Sequence, residues 1–459
     1  MASSNDKGRA VWSSKWAFIL AAAASAVGLG NLWRFPYLAA KYGGGMFLLT
    51  YLVLVFTFGV SLLLLEIALG RKTGLSAIGA FKSFGKKYAF IGFFASLIPF
   101  IITPYYCVIG GWVMKYFFGY IVDGSSALAQ STYFTSFISG NPETFFWMLL
   151  FMGITFFVVA RGVEGGIEKA NLVMMPALII MAIALVIYML VQPGALEGAA
   201  YYLIPDFSKF SPELVISAMG QMFFSLSLAM GIMITYGSYV AKKESLTTSG
   251  ARVVGFDLGV SFLAGLMIVP AAFVSLGSGE AVAETAGPSL MFVVLPQMFA
   301  TFGDAGAVVG AVFFALVIFA ALTSSISLTE TCVSIISDAT KWSRKKSIIV
   351  SFVIIGVAGI FVNLGYNGLS FIEPLGAGTT ILDFADFLSN SVMMPIAALM
   401  TCIFVGWIIK PKTLIDEIAI SSPFKARKAW GIMIKYIAPV LVVIILFAYV
   451  GATFGFFTM

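Results

Sequence analysis

Residues 24–36 read Ala24–Ser25–Ala26–Val27–Gly28–Leu29–Gly30–Asn31–Leu32–Trp33–Arg34–Phe35–Pro36, inside the first long apolar segment of the chain, residues 16–40. A helix that merely crosses a membrane has no use for two glycines two apart, followed by an asparagine, an arginine and a proline. Glycine loosens a helix, and proline removes a donor and clashes with the preceding turn. Backbone broken at membrane depth strands N–H and C=O groups, each costing several kcal/mol unless something polar takes them up. An ion or a zwitterionic solute can do that. The plainer reading is that the glycines let a neighbouring helix pack closely. Asn31 and Arg34 weigh against it, because polar groups at that depth are usually functional.

Outside this stretch the chain is written for lipid. Of its 459 residues 60% are hydrophobic and 10% charged, against about 45–50% and 25% in soluble domains. Apolar windows place eleven spans near 16–40, 45–70, 88–119, 144–161, 167–191, 214–240, 248–277, 305–337, 346–363, 384–408 and 433–457, called segments 1 to 11 below. The fold class expected is an all-α integral membrane protein with a single domain over residues 1–459. The stretches 120–143, 192–213 and 278–304 read as external, the last as an ordered loop with short helical pieces.

The absence of histidine excludes His-based triads, His-ligated haem and most zinc sites. Cys107, Cys332 and Cys402 lie in apolar segments with no pairing pattern and read as packing residues. No nucleophile–base pair or metal cluster is visible, so an enzyme is not expected. The net charge of +6 does not point to nucleic acid. Lys and Arg concentrate in alternate loops, at 71–87, 161–169, 242–252, 341–346 and 410–435, while the other loops carry acids. The positive-inside rule then puts the N-terminus in the cytoplasm and the C-terminus outside the cell membrane.

Segment 6 is also interrupted: Gly220–Gln221 through Ser225, Ser227 and Gly231 brackets polar residues between glycines. It comes five spans after segment 1, and a repeat of an odd number of spans must return inverted. Residues 12–192 and 211–409 thus read as two inverted five-helix repeats, with 433–457 an additional eleventh helix. Two interrupted helices at matching places point to a site at the membrane midplane. In segment 5, Gly166 and Pro176 give either a helix able to unwind at its inner end or a kinked one with no moving part. In segment 8, Thr323–Ser324–Ser325 either bond the carbonyl one turn back or offer oxygens to a hard cation. Asp257 is a lone carboxylate inside segment 7. Its plain reading is a protonated or paired acid at a helix end.

Taken together, Ala26–Val27–Gly28–Leu29–Gly30–Asn31 with Arg34–Phe35–Pro36, Gly43–Gly44–Gly45, Gly110–Gly111–Trp112, Gly220–Gln221 through Ser227, and Leu322–Thr323–Ser324–Ser325 resemble the neurotransmitter:sodium symporter family. The resemblance runs in order over nearly the whole chain, and implies the fold of the bacterial leucine transporter with helices 1 and 6 unwound at the midplane. Eleven spans and the Gly166–Pro176 spacing are most similar to the family's eleven-helix bacterial branch, which includes transporters of hydrophobic amino acids and of tyrosine. The implied cargo is an amino acid with two sodium ions, in the lipid bilayer and with no obligatory protein partner.

Carried over by position, the resemblance implies a first sodium site of Ala26, Asn31, Ser225 and Asp257, closed by the substrate carboxylate. It implies a second of Ala24, Val27, Ala320, Thr323 and Ser324. The substrate carboxylate would meet the N–H groups of Leu29 and Gly30 and the Tyr106 hydroxyl. Its amine would meet carbonyls near Ala26, Phe224 and Ser225, and Ser227. Ser25, Ile102, Phe224, Met230, Ser325 and Leu328 would surround the side chain. With no charge among them, and with a flexible Met230, a hydrophobic or aromatic L-amino acid is expected. The outer gate would pair Arg34 with Asp383 or Asp386, Asp383 preferred, under a Phe224 lid. The inner gate would pair Arg9 with Asp338 and Trp12 with Tyr239. Chloride-dependent members carry Asn at the place of Asp257, and Tyr51, Gln221, Ser225 and Ser261 would otherwise line a chloride site. Transport independent of chloride is therefore expected. The alternatives are a carrier or exchanger of another neutral amino acid or organic amine, and a sensor that binds without transporting.

Overall fold

The computed structural model describes residues 11–276 and 288–456. Lipid offers the backbone no partners, so long apolar segments satisfy their N–H and C=O groups within themselves, as helices. Among the described residues nine helices are long and apolar enough to cross a membrane: Gly45–Thr73, Lys86–Val122, Pro142–Ala160, Val163–Leu190, Leu246–Val274, Asp304–Thr340, Arg344–Leu364, Ile381–Ile408 and Arg427–Thr453. A tenth span results if Lys15–Ala26 and Gly30–Lys41, bent by 53° across their break, are one crossing. Segment 6 forms Pro212–Ser225 and Ile232–Gly237 with residues 226–231 between them, and neither piece reaches spanning length alone. Among the described residues the count by length is therefore nine or ten, against the eleven expected.

The helices begin earlier than the apolar windows suggest, because their first turns are polar and capped. Ser14, Ser211 and Ser343 accept from the backbone N–H three residues on, and Thr380 forms a reciprocal capping box with Asp383. The largest shift is in segment 11, whose helix begins at Arg427. Trp430 in that first turn is buried, and its indole N–H donates to the Ser61 carbonyl at 3.0 Å.

The distribution of polarity is inverted relative to a protein in water. Exposed side chains along the outer helices are apolar, for example Val173, Ile180 and Ile187, or Val440, Ile444 and Phe447. Such faces would be aggregation surfaces in water, and lipid is their solvent. Inside lie Asn31, Glu66, Gln221, Asp257 and Glu330, all buried. Helix Asp304–Thr340 packs along Ala89–Val122, and Lys15–Ala26 lies against Leu246–Leu276 and Asp304–Thr340. The broken stretch is thereby walled by segments 3, 6, 7 and 8. In the stretch after segment 7, a short apolar helix, Leu290–Ala300, is described. The expected features at Gly279 and Gly287 lie outside the described residues.

Candidate functional site

Helix Lys15–Ala26 ends where Val27 turns extended, and the chain resumes as a wide π-type turn over Gly30–Arg34. The freed groups find side chains. The Leu29 N–H donates to the Tyr106 hydroxyl at 3.1 Å, the Gly28 N–H to Asn31 Oδ1 at 2.9 Å, and Gln221 Nε2 to the Gly30 carbonyl at 3.0 Å. Across the gap, the Ser227 hydroxyl donates to the Ser25 carbonyl at 2.9 Å, and Ser25 Oγ donates to Ser227 Oγ at 3.2 Å. The two breaks therefore satisfy each other. Glycine is required here by space: a Cβ on Gly30 would lie 2.4 Å from the Phe224 ring, and one on Gly28 2.6 Å from Ser324 Oγ.

A small cavity sits between the breaks. Its wall includes Ser25, Ala26, Gly30, Ile102, Tyr106, Phe224, Ser225, Ser227, Met230 and Leu328, as expected from sequence, together with Gly28, Asn31, Ile232 and Ser324. Two expected members are not on it. Leu29 contributes its backbone N–H, bonded to Tyr106, and no wall atoms. Ser325 faces the other way and shares a hydrogen bond of 3.2 Å with Thr155. Adjacent residues on a helix point about 100° apart, and here Ser324 takes the cavity side while Ser325 turns to Thr155. Ile232, at the start of the second half of segment 6, was not foreseen.

At one end of the cavity Asn31, Ser225 and Asp257 converge. Asn31 Nδ2 lies 2.8 Å from Asp257 Oδ1, 3.0 Å from Ser225 Oγ and 2.8 Å from Ser261 Oγ. Ser225 donates to Asp257 Oδ1 at 2.6 Å, and Tyr51 donates to Oδ2 at 3.4 Å. Asp257 is fully buried, and among the described residues no Lys or Arg pairs with it. The Asn31 oxygen faces the Gly28 N–H, so it is the amide nitrogen that reaches the carboxylate. At the other wall, Ser324 Oγ lies 3.1 Å from the Val27 carbonyl and 3.2 Å from that of Ser25. Thr323 instead back-bonds to Phe319 and Ala320 at 3.0 Å each. Ala24 and Ala320 are buried beside these groups.

Phe224 lies against Gly30, with the Arg34 guanidinium 5.8 Å from its ring. The two acids expected opposite Arg34 differ in their surroundings. Asp383 spends its carboxylate on the Thr380 N–H and hydroxyl, both at 2.8 Å, and is exposed. Asp386 accepts from Asn390 at 2.6 Å and from Tyr105 at 3.3 Å, and the Arg34 charge acts on it. The two residues form no direct ion pair. Arg34 also reaches Tyr449 of segment 11 at 3.5 Å. Asp383→Ala should therefore cost about 1 kcal/mol of stability, a lost cap, and leave substrate affinity unchanged. Asp386→Ala should weaken affinity. Thermal unfolding and equilibrium binding of the two variants, side by side, check the assignment.

Before the first helix, Trp12 is buried. Its indole donates to the Tyr236 carbonyl at 3.0 Å, its N–H donates to the Tyr239 carbonyl at 3.1 Å, and its ring meets Tyr239 edge-on at 5.8 Å. Asp338 accepts from the Ser76 N–H at 2.8 Å, and Arg9 lies outside the described residues. Gly166 sits in a wide turn, Val163–Glu168, that leads into the helix containing Pro176. Glu168 in that turn receives both the N–H and the hydroxyl of Ser13, at 2.8 and 2.5 Å. The N-terminal strap and the inner end of segment 5 are thus fastened together. Glu168→Ala should raise amide exchange across residues 163–175 by at least tenfold, measured by hydrogen–deuterium exchange.

Sequence reasoning missed Glu66. It is buried in helix Val60–Thr73, and its Oε1 accepts from the Ala229 N–H at 2.5 Å, inside the break of segment 6. The signal was present, since a lone acid follows Leu62–Leu63–Leu64–Leu65 just as Asp257 stands alone in its segment.

Comparison with known proteins agrees with this architecture. The family described as "Sodium:neurotransmitter symporter family" matches residues 9–129 and 134–454. The uncharacterized sodium-dependent transporter YhdH of Bacillus subtilis is 36% identical over 449 residues, covering 96% of this chain and 97% of that protein. The sodium- and chloride-dependent GABA transporter 2 of Homo sapiens is 26% identical, covering 89% of this chain and 75% of its own length. The crystal structure of MhsT in complex with L-phenylalanine superposes with a TM-score of 0.86 at 38% identity, covering 96% of this chain and all of that one. These relatives are transporters and not enzymes. The chain is a multi-pass, sodium-dependent membrane transporter of the sodium:neurotransmitter symporter family.

Proposed function

We propose that the protein is a sodium-coupled symporter that imports hydrophobic or aromatic L-amino acids across the cell membrane by alternating access, without a chloride requirement. The observation that carries this reading is Asp257: a fully buried carboxylate, bonded to neutral groups only, beside a broken helix. Burying an unpaired charge is costly, and a cation at this place removes the cost. Sodium is the co-transported cargo here, held by Asp257, Ser225, the Ala26 carbonyl and Asn31. A half-turn of the Asn31 amide brings its oxygen toward Ser225 and frees the Gly28 N–H. A second sodium is assigned to the Ala24, Val27 and Ala320 carbonyls with Thr323 and Ser324. Thr323 releases its back-bond to join.

In this reading the substrate carboxylate displaces the Tyr106 hydroxyl from the Leu29 N–H and lies next to the first sodium, so that ion and solute bind together. Its amine takes carbonyls near Ala26, Phe224 and Ser225 together with Ser227. Ile102, Met230, Ile232 and Leu328 receive the side chain, and the L-phenylalanine bound to MhsT supports an aromatic or large aliphatic one. Two charges moved with a zwitterion supply roughly 4.6 kcal/mol per 100 mV, about three decades of accumulation. Eleven spans arranged as inverted repeats, 12–192 and 211–409, with 433–457 added, complete the proposal. The N-terminus is cytoplasmic and the C-terminus extracytoplasmic. Phe224, Arg34 and Asp386 form the outer gate, with Trp12, Tyr239, Asp338 and Arg9 at the inner one. Unwinding between Gly166 and Pro176 opens the inner path.

Uptake of radiolabelled phenylalanine into proteoliposomes tests this. Uptake should require an inward sodium gradient and persist when gluconate replaces chloride. Unlabelled tryptophan, tyrosine, phenylalanine and leucine should compete, and glycine, glutamate and γ-aminobutyrate should not. Collapse without chloride, or preference for the second group, contradicts the proposal.

A further inference from the structure

We propose that the groove between residues 411–416 and the first turns of helix Arg427–Thr453 binds the phosphate headgroup of an anionic membrane lipid. The groove is broad and open on one side, and four cations converge on it: Lys412, Arg427, Lys428 and Lys435. Asp416 is the one acid on its wall. The neighbouring Glu417 is buried and already committed, to Arg71 at 2.8 Å and Lys242 at 2.7 Å. Lys412, Arg427 and Lys428 are exposed and have no ion-pair partner among the described residues. Like charges facing one cavity repel, and an anion between them reverses the sign of that interaction.

Two further observations choose a lipid over a soluble anion. Lys435 Nζ lies 4.8 Å from the Trp407 ring and 5.0 Å from the Tyr436 ring, and those rings meet edge-on at 5.7 Å. Tryptophan, tyrosine and lysine gathered on an exposed helix face mark the membrane–water interface, so the groove lies at headgroup height. Its wall then continues apolar, through exposed Ile432 and on to Ile437 and Val440, a path for an acyl chain. Basic pockets between transmembrane helices on the cytoplasmic side are suited to such headgroups. A headgroup held here also braces the segment whose Glu417 bridges the ends of segments 2 and 6.

The test uses the full chain, purified and delipidated, with three probes: dioleoylphosphatidylglycerol, dioleoylphosphatidylcholine and inorganic phosphate. Native mass spectrometry should show at least fivefold more phosphatidylglycerol than phosphatidylcholine retained, and phosphate should not compete at millimolar concentration. The triple variant Lys412→Gln/Arg427→Gln/Lys428→Gln should lose that preference. A control with Lys410→Gln, Lys425→Gln and Lys345→Gln, equal in charge and outside the groove, should keep it. Equal loss in both variants overturns the site, and displacement of lipid by phosphate overturns the lipid assignment.

Discussion

Asp257→Asn should lower sodium-driven uptake in chloride-free buffer by about 10²- to 10³-fold, and added chloride should restore part of it. The wild-type carboxylate stands 2.8 Å from Asn31 and 2.6 Å from Ser225, with no basic residue to balance it among the described residues. Removing it leaves a buried sodium without a counter-charge, a loss of about 3–5 kcal/mol for a broken buried pair, and each 1.4 kcal/mol is a decade. Tyr51, Gln221, Ser225 and Ser261 remain, all buried and neutral, and their hydroxyl and amide donors suit an anion. A chloride held by them would return the missing charge. Initial uptake rates over a chloride series decide it: full activity of the variant without chloride removes Asp257 from the ion site.

Glu66→Leu should cost about 10- to 100-fold in transport, and Glu66→Gln much less. The break of segment 6 holds Ser227 at φ 52° and Ala229 at φ 63°. Positive φ at residues other than glycine costs on the order of 1–3 kcal/mol and survives only where the surroundings hold it. The Glu66 carboxylate supplies that hold through the Ala229 N–H. Leucine preserves the volume but leaves a buried donor unsatisfied, about 1–3 kcal/mol more. Glutamine keeps an acceptor oxygen in place. Uptake together with thermal inactivation separates a misshapen site from an unfolded chain, and a Leu variant with wild-type transport dismisses the role.

How much was legible follows from the range of each interaction. Apolar runs and the Gly–x–Gly–Asn break are local, so the helices and the first interruption stood out in the sequence. The length of the second interruption did not, because residues 226–231 are held open by Glu66 and Ser25, from other segments. The side of the helix to which Ser325 turns depends on Thr155, and the outer-gate acid on Tyr105 and Asn390. The Thr380–Asp383 capping box was readable from its spacing. Contact between Arg34 and Tyr449 spans 415 residues and left no trace in the sequence.

In the proposed mechanism an ion and a solute share one shell between two broken helices. Equilibrium binding of radiolabelled phenylalanine to the purified protein, with sodium titrated at constant ionic strength against potassium, measures that directly. The account predicts saturable binding that rises steeply with sodium and is lost in potassium alone. Binding of equal affinity in both salts would contradict it.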